Sequence, residues 1–178
     1  ISCASPLPSS LSVNSISADS VNLSWTGSSN HSSWLVYLVP STGQISTTTP
    51  ISVTNDTIDL AVSSSTTYNF YVQAICASGD TSIISGPTTF LTPCVSTNAP
   101  YYTDFDSGFP ICWNQDLNDD FDWTLDANGT TSSSTGPSND MTGGGNYMYI
   151  ETSSPRTAGQ QAIMYSENID ISSLAAAE

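Results

Sequence analysis

YNFYVQAIC, residues 68–76, places Tyr68, Phe70, Val72 and Ala74 on one face of an extended chain. A period of two belongs to a β-strand with one buried face, and aromatic and β-branched side chains fit that pleated surface. Working outward, the pattern recurs. SVNLSWT (20–26) puts Val21, Leu23 and Trp25 on one face, and TIDLAV (57–62) alternates Ile58, Leu60 and Val62. WLVYLV (34–39) is a more continuous apolar run, and a last strand is expected over about 82–92. GSSNHSS, STGQ and ASGD punctuate these runs as turns. Short strands at regular spacing with turn-rich separators are the pattern of a β-sandwich.

The 178 residues allow one large or two small domains. The net charge is −15, and Arg156 is the only Lys or Arg. Such a surface repels phosphate backbones and anionic lipid, which excludes nucleic acid and membrane surfaces as partners and leaves cations as natural ones. The charge is uneven. Residues 1–94 carry only Asp19, Asp56, Asp59 and Asp80, while residues 95–178 carry twelve acids against Arg156. That asymmetry predicts two domains with different work. No apolar run is long enough to span a membrane. The chain lacks an initiator Met and a signal peptide, and reads as a mature piece or an excerpt.

Residues 1–94 resemble a fibronectin type III domain. The resemblance rests on the Pro-rich start PLPSSLSV, on Trp25, and on LAVSSSTTYNFYV, where Leu60, Thr66 and Tyr68 match the family's corner tyrosine motif. It implies an Ig-like sandwich whose Tyr68 hydroxyl ties down the corner. It names no function, and a spacer or rigid arm is the plainest role. Trp34 starts its strand and is a candidate for exposure.

From Tyr101 the pattern changes. DFDSGFPICWNQD, DDFDW and TGPSNDMTGGGNYMYIE follow one another in an order that resembles a MAM domain. Asp106 stands where that family usually has Glu, and Met141 replaces a common His. The match stops near Leu174, at roughly half a MAM domain. The whole is therefore expected to be all-β. A fibronectin type III (Ig-like) sandwich over 1–94 is followed by a linker over 95–100, an incomplete jelly-roll sandwich over 101–174 and a tail over 175–178. The missing strands are expected from elsewhere in a longer polypeptide or from a partner chain.

The acidic span asks for a chemical reading. Seven aspartates lie between Asp104 and Asp126, with Asp140 beyond. In DFDW, Phe121 and Trp123 share one face, which leaves Asp120 and Asp122 on the other. Calcium takes oxygens from carboxylates, carbonyls and water, which such loops supply. Related MAM domains carry a cation beside the matching positions. The resemblance therefore implies a structural calcium held by Asp106, by Asp120 or Asp122, and by Asp140; the other reading is a hydrated acidic face.

Cys3, Cys76, Cys94 and Cys112 contain no CxxC pair, and His31 is the only histidine, so zinc is not indicated. An even count suggests disulfides and export. In a fibronectin-like sandwich the first strand begins and the sixth ends at one pole. The resemblance thus implies Cys3–Cys76 and Cys94–Cys112.

The motifs for enzymes are absent: no GxSxG, HExxH or phosphate loop occurs. DFD occurs twice, but an acid–base pair needs one carboxyl kept protonated in an apolar pocket, and only Glu151 lies in a suitable strand. His31 reads as a polar turn residue. Asn22, Asn30, Asn55 and Asn128 head N-x-S/T triplets, which arise readily by chance in so Ser/Thr-rich a chain. DSV (19–21) and DTI (56–58) resemble an O-glycosylation signal of exported bacterial proteins. The expected function is non-catalytic adhesion or interaction, secreted or at the cell surface, with a protein or glycan partner. The alternatives are accessory domains of a secreted protease or glycosidase, and a carbohydrate-binding module. The acidic composition looks more like a bacterial exoprotein than an animal receptor.

Overall fold

The computed structural model describes residues 6–133 and 136–174. The chain is all-β and divides between Val95 and Ser96 into two compact units. No helix among the described residues is long and apolar enough to cross a membrane.

The first unit is a two-layer sandwich. One layer holds β1 (Ser9–Ile16), β2 (Ser20–Thr26) and β5 (Thr57–Ala61) in the order β1-β2-β5. The other holds β3 (His31–Pro40), β4 (Ile51–Val53), β6 (Thr67–Cys76) and β7 (Ser85–Leu91) in the order β4-β3-β6-β7. All these pairings are antiparallel, with Leu23 opposite Ile58 and Val36 opposite Val72. The alternation seen in 68–76 is realised residue by residue: Tyr68, Phe70, Val72 and Ala74 are buried and their neighbours are not. Phe70, Val72 and Ala74 meet Val21, Leu23 and Trp25 from the opposite layer, and these side chains form one core.

Trp34, a candidate for exposure in the sequence, is only 8% exposed. Its ring sits edge-on to Trp25 at 5.8 Å, so packing across the layers decides its fate rather than its place at a strand start. The Tyr68 hydroxyl accepts the Ser63 N–H at 3.0 Å and ties down the corner before β6. Thr92 is buried beside it. Its hydroxyl donates to Ser63 O at 2.7 Å and accepts the Thr66 N–H at 2.8 Å.

His31 is more than a turn residue. Its Nδ1 accepts the Ser28 N–H at 3.1 Å, which leaves Nε2 as the proton-bearing nitrogen of the neutral ring. Nε2 lies 3.0 Å from the Pro6 carbonyl and straps the incoming chain to the sandwich.

The described residues of the second unit form three two-stranded ladders. β9 (Asn114–Gln115) pairs with β12 (Met164–Tyr165), and β10 (Thr124–Asp126) with β11 (Tyr147–Tyr149), both antiparallel. β8 (Thr97–Asn98) runs parallel to β13 (Ile169–Asp170). Among its described residues Tyr147 alone is a buried hydrophobic, while Ile111, Leu117 and Met141 are each more than four-fifths exposed. This unit is held by hydrogen bonds and half-buried rings more than by a core.

Candidate functional site

Two motif segments of the second unit lock together. The Gln115 side chain donates through Nε2 to Trp123 O at 2.6 Å, and its Oε1 accepts the Trp123 N–H at 3.2 Å. The side-chain amide thereby completes a ladder that the backbone leaves open. The Trp123 indole N–H donates to Ala162 O at 3.1 Å. Trp113 donates from its indole to the Tyr101 hydroxyl at 3.0 Å and takes the edge of Phe105 at 5.3 Å.

This scaffold sorts the aspartates. Asp119 accepts the Ile163 N–H at 2.6 Å, and Asp120 accepts the Gln161 N–H at 2.8 Å. Asp116 takes the Asn118 N–H and the Tyr165 hydroxyl, which together lower its pKa. Asp122 faces an open cleft with Phe121, Glu151 and Arg156. There the Arg156 guanidinium lies over the Phe121 ring, 4.2 Å from its centre. Glu151 accepts hydroxyls of Thr131 and Ser132 and the Ser153 N–H. Hydrogen bonding by Ser153 first, then by Ser132 and Thr131, holds its carboxyl down to about 2.

Asp106 and Asp140 are brought together. The run TGGG (142–145) turns back over Asp140, with Gly143 at φ +92, a left-handed conformation suited to glycine. Asp140 Oδ1 accepts the N–H groups of Gly143, Gly144 and Gly145 at 2.7, 2.9 and 3.0 Å, and the Thr142 hydroxyl reaches Oδ2 at 2.5 Å. The Thr142 hydroxyl first, and the Gly145 and Gly144 amides next, keep this carboxyl well below the usual carboxylate range.

Asp106 approaches from the other side. Phe105 holds φ 60, unusual for an aromatic residue. Asn146 supports that conformation by donating from Nδ2 to the carbonyls of Phe105 and Asp106, while its own N–H reaches Asp106 Oδ1 at 3.0 Å. A Cβ on Gly145 would run into the Asp106 carboxylate and lie 2.9 Å from Asp140 Oδ2. The two carboxylates converge on that point, and only glycine leaves them room.

The expected ligands are therefore split: Asp106 and Asp140 meet, while Asp120 faces Gln161 and Asp122 faces the Arg156 cleft. Among the described residues no group of three or more His, Cys, Asp and Glu side chains is placed to hold one ion. Gly145, Asn146 and Thr142 belong to the site without having been singled out. Their signal in the sequence is the glycine run, which marks close backbone approach.

Cys76, Cys94 and Cys112 are disulfide-bonded, and no described cysteine is free. Cys3 lies outside the described residues.

Residues 103–174 match the family model of the MAM domain, meprin/A5/mu. The chain is similar to MAM domain-containing glycosylphosphatidylinositol anchor protein 1 of Rattus norvegicus, 42% identical over 81 residues, covering 42% of this chain and 8% of that protein. It is similar to MAM domain-containing glycosylphosphatidylinositol anchor protein 2 of Mus musculus, 40% identical over 72 residues, covering 37% and 8%. The chain thus spans less than a tenth of the length of these relatives. Among solved structures it is similar to the fn3 domain of human collagen alpha-1(XX) chain, 26% identical with a TM-score of 0.48, covering 57% of this chain and 97% of that one. The relatives are mammalian and give no support to a bacterial source. Acidic composition reports on solubility and partners rather than on lineage. The chain is extracellular, secreted or at the cell surface, in keeping with its MAM match and its disulfides.

Proposed function

We propose that this chain is a non-catalytic interaction module of a larger extracellular protein. In this reading the sandwich serves as a rigid arm, and the acidic face of the second unit meets a protein or glycan at a cell surface. The observation that carries the reading is the convergence of Asp106 and Asp140 at Gly145, framed by loops in a unit whose one buried hydrophobic among the described residues is Tyr147. No Lys or Arg serves this pair, since the only basic side chain, Arg156, lies over Phe121. Two carboxylates that close repel; the N–H groups of Gly143, Gly144, Gly145 and Asn146 offset part of that repulsion, and a cation would offset more.

The chemistry of the pair suits calcium: two carboxylates converge, and the carbonyls of Phe105 and Asp106, which accept Asn146 Nδ2, lie on the adjoining loop. Asp106 and Asp140 would hold the ion, which would supply positive charge and link the loop of Phe105 to the glycine run. With only two carboxylates, the affinity belongs with extracellular modules, at about 10⁻⁴–10⁻³ M.

Purified protein tests both parts. Millimolar calcium should raise the unfolding midpoint, EDTA should reverse the gain, and D106N and D140N should each abolish the response. Labelled protein should bind intact cells in calcium and lose most of that binding in EDTA. A midpoint indifferent to calcium would discard the ion, and the absence of saturable cell binding in either buffer would discard the module.

A further inference from the structure

The four N-x-S/T triplets are alike in sequence and unlike in the fold. Asn22 lies half-buried in β2 with its carboxamide engaged at both ends. Its Nδ2 donates to Asp59 Oδ1 at 2.7 Å, and its Oδ1 accepts Asn14 Nδ2 at 2.8 Å. Asn22 and Asp59 face each other across the β2–β5 ladder, so the contact is part of the sheet. Asn30, Asn55 and Asn128 are each exposed. Asn30 sits in the turn between β2 and β3, Asn55 in the bend between β4 and β5, and Asn128 just after β10. Asn128 is set there by its own N–H, which reaches Asp126 Oδ1 at 3.3 Å, and by Gly129 at φ +106. None of these three carboxamides is bonded within the described residues.

We propose that Asn30, Asn55 and Asn128 are N-glycosylation sites and that Asn22 is not. The chain is extracellular, so in a cell with the transfer machinery it meets a polyisoprenoid diphosphate-linked oligosaccharide on its way out. In the transfer, Asn Nδ2 forms a bond to the anomeric carbon of the sugar. The bond from that carbon to the diphosphate oxygen breaks, and the lipid diphosphate leaves with the electron pair. The amide nitrogen gives up one proton.

Which glycans the fold tolerates then follows from geometry. A bulky hydrophilic group on an exposed turn extends into water at no packing cost. The same group on Asn22 would crowd Asn14 and Asp59 and displace the bonds that join β1, β2 and β5 on that face. Asn55 has a further consequence. It links β4, the edge of one sheet, to β5, the edge of the other, so a glycan there screens both open edges from a second chain.

The test is to secrete the 178-residue chain from a eukaryotic cell line, remove N-glycans enzymatically in heavy-oxygen water, and map the labelled aspartates in chymotryptic peptides. Label is expected at positions 30, 55 and 128, and unmodified Asn at 22. N30Q, N55Q and N128Q should each lose the mass of one glycan, and N22Q should lose none. Absence of label at any of the three overturns that site, and label at 22 comparable with the others overturns the selection by geometry.

Discussion

Gly27 shows how tightly single residues are specified in the sandwich. A Cβ there would lie 2.5 Å from Trp34 Cζ2, and Trp34 is pinned against Trp25 and cannot retreat. Gly27→Ala should therefore cost about 1–3 kcal/mol as an overpacking change, seen as a lower midpoint in thermal unfolding. A midpoint equal to wild type would mean that the Trp pair has slack. Glu151 makes a different prediction at the same scale. Its folded pKa, about 2, lies below its ordinary 4.5. A depressed carboxyl contributes stability that is present above the unfolded value and is lost as pH falls through the folded one. Between pH 5 and 2, the unfolding midpoint of Glu151→Gln should fall less steeply than that of wild type. Parallel curves would remove Ser153, Ser132 and Thr131 as its stabilising partners.

At the scale of elements, the long strands of the sandwich were legible because their buried face repeats every second residue over seven to ten positions. β1 and β4 were not. β1 reads SSLSVNSI, with three apolar residues among serines and Asn14, and β4 has only three residues, too few to carry a period. The aspartate sorting was half legible. The alternation read in DFDW puts Asp120 and Asp122 outside, and both are exposed although they precede β10 rather than lie in a strand, but nothing local says that Gln161, 41 positions on, takes one of them. The cysteine pairing also belongs here. Cys94 lies 3.2 Å from Ser65 Oγ near the start of β6, and Cys76 ends that strand. Ten extended residues separate those poles by about 30 Å, far beyond the roughly 7 Å that a disulfide spans. Pro6, three positions after Cys3, is bonded to His31, which faces Cys76 in register. We therefore expect Cys3–Cys76 and Cys94–Cys112. A non-reduced peptide map that joins Cys76 to Cys112 would reject this pairing.

At the scale of the molecule, the two units differ in what holds them. The first encloses Phe70, Leu23, Val21, Val36 and Val72 at no more than 1% exposure. The second has two-stranded ladders, Tyr147 as its one buried hydrophobic among the described residues, and Ile111, Leu117 and Met141 in water. Isolated two-stranded ladders are marginal without a face to pack against, and open edges invite pairing with other chains. Residues 1–95 expressed alone should unfold in one cooperative transition. Residues 96–178 expressed alone should show no sharp transition and should self-associate as concentration rises, read by light scattering. A calcium ion held as proposed by Asp106 and Asp140 would order the loops near Gly145 but would leave the apolar side chains at 111 and 117 uncovered. The fragment should thus remain non-cooperative even with the ion present. A sharp, monomeric transition from 96–178 would show that its ladders and ring contacts suffice, and would shift the weight of stability from burial to the hydrogen bonds of Gln115, Asp119 and Asp120.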